Sequence, residues 1–317
     1  MPEPRTTAHR HPLAGAALTT LAALGFSIVP ATTKTLFDAD TNALGVMTVR
    51  FSLAALILLA VRLVWARAEG WPRPVDATVI VLCGAVGVTV VSLLYFIAIA
   101  DVDTSLAIVI WYGYPVTVVL FSWLAWRTLP TRVASLAMVG AIAGVGLSSG
   151  EIRSGGTGGA LALIIISAVV FGAYIIVLQR VVSRMGYLTG VALLNVGSAL
   201  GYLTVCAVPF DRLGGPVDLE PVLPDTPRAY ALIAALAVFG TVVPFLASMA
   251  GLRMLDPTSY SILMTIEPVI AIAIGVTFLG ETMSATRLAG AVLVIGSLVL
   301  YTAAESRRAG ATPMTQP

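Results

Sequence analysis

"GTVVPFLASMAGLRMLDPTSYSILMTIEPV" (residues 240–269) reads as a second version of "GVTVVSLLYFIAIADVDTSLAIVIWYGYPV" (residues 87–116). At a shift of 153 residues Gly87 falls on Gly240, Asp103 on Asp256, Ser105 on Thr258 and Pro115 on Pro268. At a shift of 150, "LPTRVASLAMVGAIAGVG" (129–146) falls on "LGETMSATRLAGAVLVIG" (279–296), with Gly140 on Gly290 and Gly146 on Gly296. A repeat of this length divides the chain into two halves, residues 12–150 and 157–304. The glycine-rich stretch "EIRSGGTGG" (151–159) between them is the natural hinge. It is not a phosphate loop, because no Gly-Lys-Ser/Thr follows its glycines, so an ATP-driven motor is unsupported.

The solvent of the halves follows from composition. The chain is 58% hydrophobic and 11% charged, with a mean hydropathy of +0.96, whereas soluble domains carry about a quarter charged residues. Crossing a bilayer takes about 20 mostly apolar residues. Ten stretches qualify: 13–37, 42–61, 77–100, 104–126, 133–150, 157–179, 185–210, 229–252, 257–280 and 284–304. No alternation of polarity suggests barrel strands. The expected fold is an all-α membrane protein of ten transmembrane helices. Five helices per half is an odd number, so the halves must insert as inverted repeats. The first segment, preceded by Arg5 and Arg10, is too long for the core of a signal peptide and is expected to be a retained helix.

Arginines set the orientation. With the amino terminus inside, twelve of the eighteen basic residues fall on the cytoplasmic side, and the longest outer loop, 211–228, carries four acids against two arginines. Both termini are therefore expected in the cytoplasm, with the protein in the cytoplasmic membrane. Lys34 is placed near the outer end of its helix, where it would snorkel outward, and Arg50 deep in the second segment.

Three polar features stand out against the apolar background. Glu267 lies ten residues into its segment, about 15 Å at 1.5 Å per residue, hence near the bilayer centre. A charge there costs at least about 2.5–3.5 kcal/mol, so it rarely faces lipid. It either binds a cationic group or a proton in a cavity, or braces helices as a hydrogen-bonded carboxyl. Arg50 reaches a similar depth and cannot lose its charge, so it requires a carboxylate, carbonyls or water. Glu267 and a substrate carboxylate are its candidate partners, and a cation facing an anion would suit a zwitterion. Pro115 and Pro268 each remove a helical hydrogen bond and are expected to bend their helices, either as a fixed packing kink or as part of a site. The aromatics Trp111 and Tyr114 of "WYGYP", with Tyr95, Tyr174 and Tyr260, fit either a cavity wall for amphipathic cargo or an interfacial belt. Gly140, Gly144, Gly146, Gly290 and Gly296 read as small faces for close helix packing, between the halves or with a second subunit.

Glu267-Pro268 followed by "LGETMSATRLAGAVLVIGSLVL" (279–300) resembles the second repeat of the EamA branch of the drug/metabolite transporter superfamily, and Arg50 in "MTVRFSLAAL" (47–56) resembles the arginine common in that family's second helix. The first repeat departs from the pattern, with Tyr114 in the place of Glu267 and Thr131 in the place of Glu281. The resemblance implies a ten-helix bundle around a central cavity that exports small metabolites such as amino acids. An importer or facilitator of a small organic solute, or a structural membrane protein, are the alternatives. No enzyme is expected: both histidines, His9 and His11, lie in the polar leader, and no span holds an acidic pair. Cys83 and Cys206 lie within apolar segments and imply neither disulfide nor metal. The expected partners are a small-molecule substrate and the lipid bilayer, with no nucleic acid and no cofactor. Protons as coupling ion and a homodimer are left open.

Overall fold

Lipid offers no hydrogen-bond partners, so an apolar chain must satisfy its backbone within itself, and the helix does this locally. The computed structural model describes residues 12–126, 132–149, 157–182, 184–208, 220–255, 260 and 263–311, and every regular element among them is helical. The first half contains α1 (Pro12–Phe37), α2 (Ala43–Trp65), α3 (Pro74–Leu82) continuing through a π-helical segment (Cys83–Val88) into α4 (Thr89–Asp101), α5 (Thr104–Trp111), α6 (Tyr114–Trp126) and α7 (Arg132–Ser149). The second half contains α8 (Thr157–Val182), α9 (Tyr187–Ala207), α10 (Pro227–Ala237) continuing through a π-helical segment (Val238–Val242) into α11 (Val243–Met254), α12 (Ile266–Phe278) and α13 (Ala285–Ala311). The matched glycines Gly87 and Gly240 each fall inside a π-helical segment. Gly158 and Gly159, read above as linker, belong to the first turn of α8. Thr131, Asp256, Thr258 and residues 150–156 lie outside the described residues.

Among the described residues five helices are long and apolar enough to cross a membrane: 13–37, 43–65, 74–101, 187–207 and 227–251. Shorter apolar helices occupy 104–118, 135–148, 158–174, 266–278 and 285–301. The prolines explain part of the shortening, and they correct the expected bends. α5 ends at Trp111, Tyr112 and Gly113 form a turn, and Pro115 is the second residue of the new helix α6. Pro268 likewise stands in the first turn of α12, after Thr265. A proline fits the first turn because its missing N–H would have no intrahelical partner there. The chain breaks before each proline instead of bending at it.

Each half packs mainly on the other. α1 lies against α11 and α12, while α8 lies against α4 and α6; α2 meets α10, while α9 meets α3 and its π segment. Two further pairs, α7 with α13 and α2 with α9, join equivalent positions of the two halves, and α5 packs on α12. The α7–α13 contact is made by glycine: a Cβ on Gly144 would stand 2.7 Å from the Gly290 carbonyl oxygen, and one on Gly290 would stand 2.2 Å from Ser148 Oγ. Gly140 meets Ser297 in the same way, whereas Gly146 and Gly296 have nothing within 4 Å. The five glycines grouped by the sequence thus divide into a packed set and an open pair.

One end of the bundle is tied by Glu281. α5 starts at Thr104 without a side-chain cap of its own from Asp103. Gly280, at φ +66°, turns the chain after α12, and Glu281 then reaches the α5 terminus. Thr104 donates to its Oε1 through N (2.6 Å) and Oγ1 (2.8 Å), and Ser105 donates to Oε2 through N (2.8 Å) and Oγ (2.5 Å). A carboxylate is favourable there because the first N–H groups of a helix are unpaired and carry partial positive charge. Lys34, expected to snorkel outward, instead donates to the Val102 carbonyl (2.8 Å) and lies 3.8 Å from Glu281. Arg287 pairs with Asp103 at 2.7 Å. Burial pushes the Glu281 carboxyl up, but the four hydrogen bonds from Ser105 and Thr104 outweigh it and hold its pKa below the ordinary 4.5.

Four outcomes follow for stability in detergent. Gly144→Ala meets backbone and should cost about 1–3 kcal/mol in thermal or chemical denaturation. Gly146→Ala enters open space and should be neutral or stabilising by up to about 1 kcal/mol, since alanine is the better helix former. Glu281→Ala leaves buried donors unpaired and should cost about 2–3 kcal/mol. Because the folded-state value of Glu281 is lowered, its contribution is present above 4.5 and is lost as pH falls through the lowered value. Glu281→Gln should flatten that acid limb of the stability profile; an unchanged limb would remove Glu281 as its source.

Candidate functional site

The broken helices leave space at the centre of the bundle. Two adjoining chambers lie there, of about 520 Å³ and 220 Å³. Phe26, Trp111, Phe171, Tyr174, Phe245 and Glu267 line both, so the chambers adjoin across these residues. Tyr112, Tyr114, Ser248 and Tyr260 complete the polar lining of the larger one, which reaches Tyr187 and Gly190 at the start of α9. Arg50, Ser92 and Tyr95 belong to the smaller one. Each of the seven residues expected at a substrate pathway (Glu267, Arg50, Tyr114, Trp111, Tyr260, Tyr174 and Tyr95) lines one or both of these adjoining chambers, to which both halves contribute.

Glu267 is half-buried in the first turn of α12, where the helix terminus favours a negative charge. The Tyr112 hydroxyl donates to its carboxylate. The residue that answers Glu267 from the first repeat is thus Tyr112, not Tyr114, the residue aligned with it in the repeat. The turn at Tyr112–Gly113 is the reason: it ends α5 and resets the direction of the chain before Pro115.

Arg50 is 5% exposed. Its Nε donates to Thr241 Oγ1 (2.8 Å), its Nη2 to the Gly240 carbonyl (3.1 Å) and its Nη1 weakly to Met47 Sδ (3.5 Å). The guanidinium also lies 5.1 Å from the Phe51 ring centroid and 6.0 Å from that of Phe96. Both oxygen acceptors belong to the π-helical segment of the other half. Arg50 makes no ion pair with Glu267, although both line the smaller chamber.

The wall between these charges is aromatic and mutually supported. Phe171 contacts Trp111 (5.0 Å between centroids), Tyr114 (4.7 Å) and Tyr174 (5.3 Å), and Trp111 contacts Tyr95 at 6.2 Å. Tyr260 is fixed by a hydrogen bond with Ser248. Phe171, Thr241 and Ser248 were not singled out by sequence. Phe171 and Ser248 look like any other residue of an apolar span, and Thr241 was visible only as the neighbour of the repeat-matched Gly240. Beyond the larger chamber, Arg62 is buried against Thr189 (3.2 Å), the Glu69 carbonyl (2.7 Å) and the Trp71 ring (4.2 Å), pinning the 66–73 connection to the start of α9. No cluster of His, Cys, Asp or Glu able to hold a metal occurs among the described residues.

Comparison with known proteins agrees with this architecture. The profile of the EamA-like transporter family matches residues 13–150 and again 158–303. The threonine/homoserine exporter RhtA of Escherichia coli K12 is 27% identical over 270 residues, spanning 84% of this chain and 82% of its own. RhtA of Salmonella typhimurium LT2 is 26% identical over 268 residues, 83% of each chain. A solved crystal structure superposes with a TM-score of 0.62 at 17% identity, covering 93% of this chain and 98% of the other, which speaks to the fold alone. With helices fit for a bilayer, two matched repeats and a central polar cavity, the chain belongs to the EamA-like transporter family of the drug/metabolite transporter superfamily.

Proposed function

We propose that the protein is a secondary transporter of the cytoplasmic membrane that exports small metabolites, amino acids foremost, and that the central chambers bind the cargo. The observation that carries this reading is the pairing of a buried cation with an acid around one aromatic cavity built by both halves. Amino acids are the cargo class favoured by that charge pattern and by the relatives, which are named as exporters of threonine and homoserine.

The transmembrane arrangement in this reading is ten spans, the fourth and ninth of them broken, with the halves related by a half-turn about an axis in the membrane. The exchanged packing supports it: α1 on α11 and α12 corresponds to α8 on α4 and α6. With both termini cytoplasmic, the larger chamber faces the cytoplasm, since its lining reaches Leu178 and Tyr187 on either side of Arg180 and Arg184. The Glu281, Lys34, Asp103 and Arg287 tie then closes the outer side. This is the arrangement of an exporter ready to load. Glu267 is placed to exchange a proton for the cationic end of the cargo, with Tyr112 holding the carboxylate in position.

Two experiments test this reading. Reporter fusions after Ala304 and within residues 212–225 should report opposite sides of the membrane; the same side for both would end the topology. In proteoliposomes loaded with L-threonine or L-homoserine, Glu267→Gln should leave a folded protein whose transport no longer responds to a pH gradient. Unaltered gradient response in that variant would reject the proton role.

A further inference from the structure

The smaller chamber holds donors whose partners the exporter reading leaves unassigned. Arg50, Trp111, Tyr95 and Glu267 all line it. The three contacts of Arg50 leave two of a guanidinium's five N–H donors unused. Trp111 Nε1 and the Tyr95 hydroxyl are buried without a partner among the described residues, and Tyr95 is only 6% exposed. A buried donor left unpaired is costly, so such groups are uncommon unless something else satisfies them. Guanidinium and indole N–H groups only donate, whereas an ionised carboxyl such as Glu267 only accepts. Donors gathered around one small chamber call for an acceptor-only group. The planar, charge-assisted fork of an arginine fits a carboxylate best.

We propose that the smaller chamber is a carboxylate pocket: Arg50, Trp111 Nε1 and Tyr95 hold the carboxylate of a zwitterionic amino acid, Glu267 takes its ammonium group, and its side chain extends into the larger aromatic chamber. The proposal rests on the exporter reading and deepens it by assigning the orientation of the cargo. Trp111 and Glu267 line both chambers, so a single small molecule can span the boundary between them. Arg50 keeps Thr241 and Gly240 throughout, which fixes the guanidinium plane before cargo arrives. A buried charge bonded only to neutral oxygens and sulfur is also poorly compensated, and an incoming carboxylate corrects this.

The test compares binding of L-threonine and L-threoninamide, which differ only in the carboxyl group, to the purified full-length protein in nanodiscs. L-homoserine and the remaining amino acids complete the panel. The wild type should prefer the acid by about tenfold or more, as expected for charge-assisted hydrogen bonds. Trp111→Phe and Tyr95→Phe keep the ring and remove one donor each. Each should weaken L-threonine by about three- to tenfold and L-threoninamide by less, so that the acid-to-amide ratio falls. Arg50→Gln should abolish the preference altogether; the two phenylalanine variants decide the matter if that protein does not fold. Equal binding of acid and amide by the wild type, or an acid-to-amide ratio unmoved by both phenylalanine variants, overturns the pocket and leaves the exporter standing. Failure of every amino acid and of the amide to bind would sink the cargo class itself, and the pocket with it.

Discussion

A guanidinium buried in the middle of an apolar bundle is the constraint to which much of the interior answers. Arg50 stays charged, and it finds its oxygen partners across the interface in Thr241 and the Gly240 carbonyl. Desolvating an arginine costs several kcal/mol unless the donors are met, so separating the halves here would strand that charge. The π-helical segment matters for this reason. It interrupts the regular ladder of the long helix 227–254 where Arg50 arrives, and such interruptions recur at functional sites. The equivalent segment Cys83–Val88 in the first half receives no arginine; Gly84 there lies so close to α9 that a Cβ would stand 2.0 Å from the Leu194 carbonyl oxygen. The same local device thus serves ion binding in one half and close packing in the other.

Broken helices create the second dependency. α5 is eight residues long and α12 thirteen, and they pack on each other. Each carries a residue of the chamber at one end and a residue of the Glu281 tie near the other. α5 runs from Thr104 and Ser105 to Trp111, and Tyr112 follows. α12 runs from Glu267 to Phe278, and Glu281 follows. Ser105 Oγ also reaches the Ile272 carbonyl at 3.5 Å, part of the way along. The chamber and the tie are therefore two ends of one short pair of helices.

A large part of this was readable in the residues. Apolar length and arginine asymmetry speak directly of a bilayer, because the cost of a charge in hydrocarbon leaves few alternatives. The repeat register brought Gly87 and Gly240, and Pro115 and Pro268, into equivalent places, and the structure puts each pair in equivalent elements. The register says which residues are equivalent and not which touch: Tyr114 occupies the place of Glu267, while the hydrogen bond to Glu267 comes from Tyr112. It was silent on Glu281, whose partners lie 176 and 177 residues away in sequence. Lys34 was placed by depth alone, and depth does not say which carbonyl or carboxylate is near.

The glycines mark the boundary most clearly. Composition and spacing determined that small residues would permit close helix contact, that two mid-depth charges would need shelter, and that prolines would disturb two helices at matching positions, as bends where the structure has breaks. Which glycines touch, what shelters the arginine and where the chain turns were decided only by the tertiary structure. In water a hydrophobic stripe reveals the inner face of a helix, but in lipid both faces are apolar and the sequence carries no such mark. Gly144 and Gly146 are two residues apart in the same helix, one against the backbone of α13 and the other in open space. Only the packing of one half on the other distinguishes them.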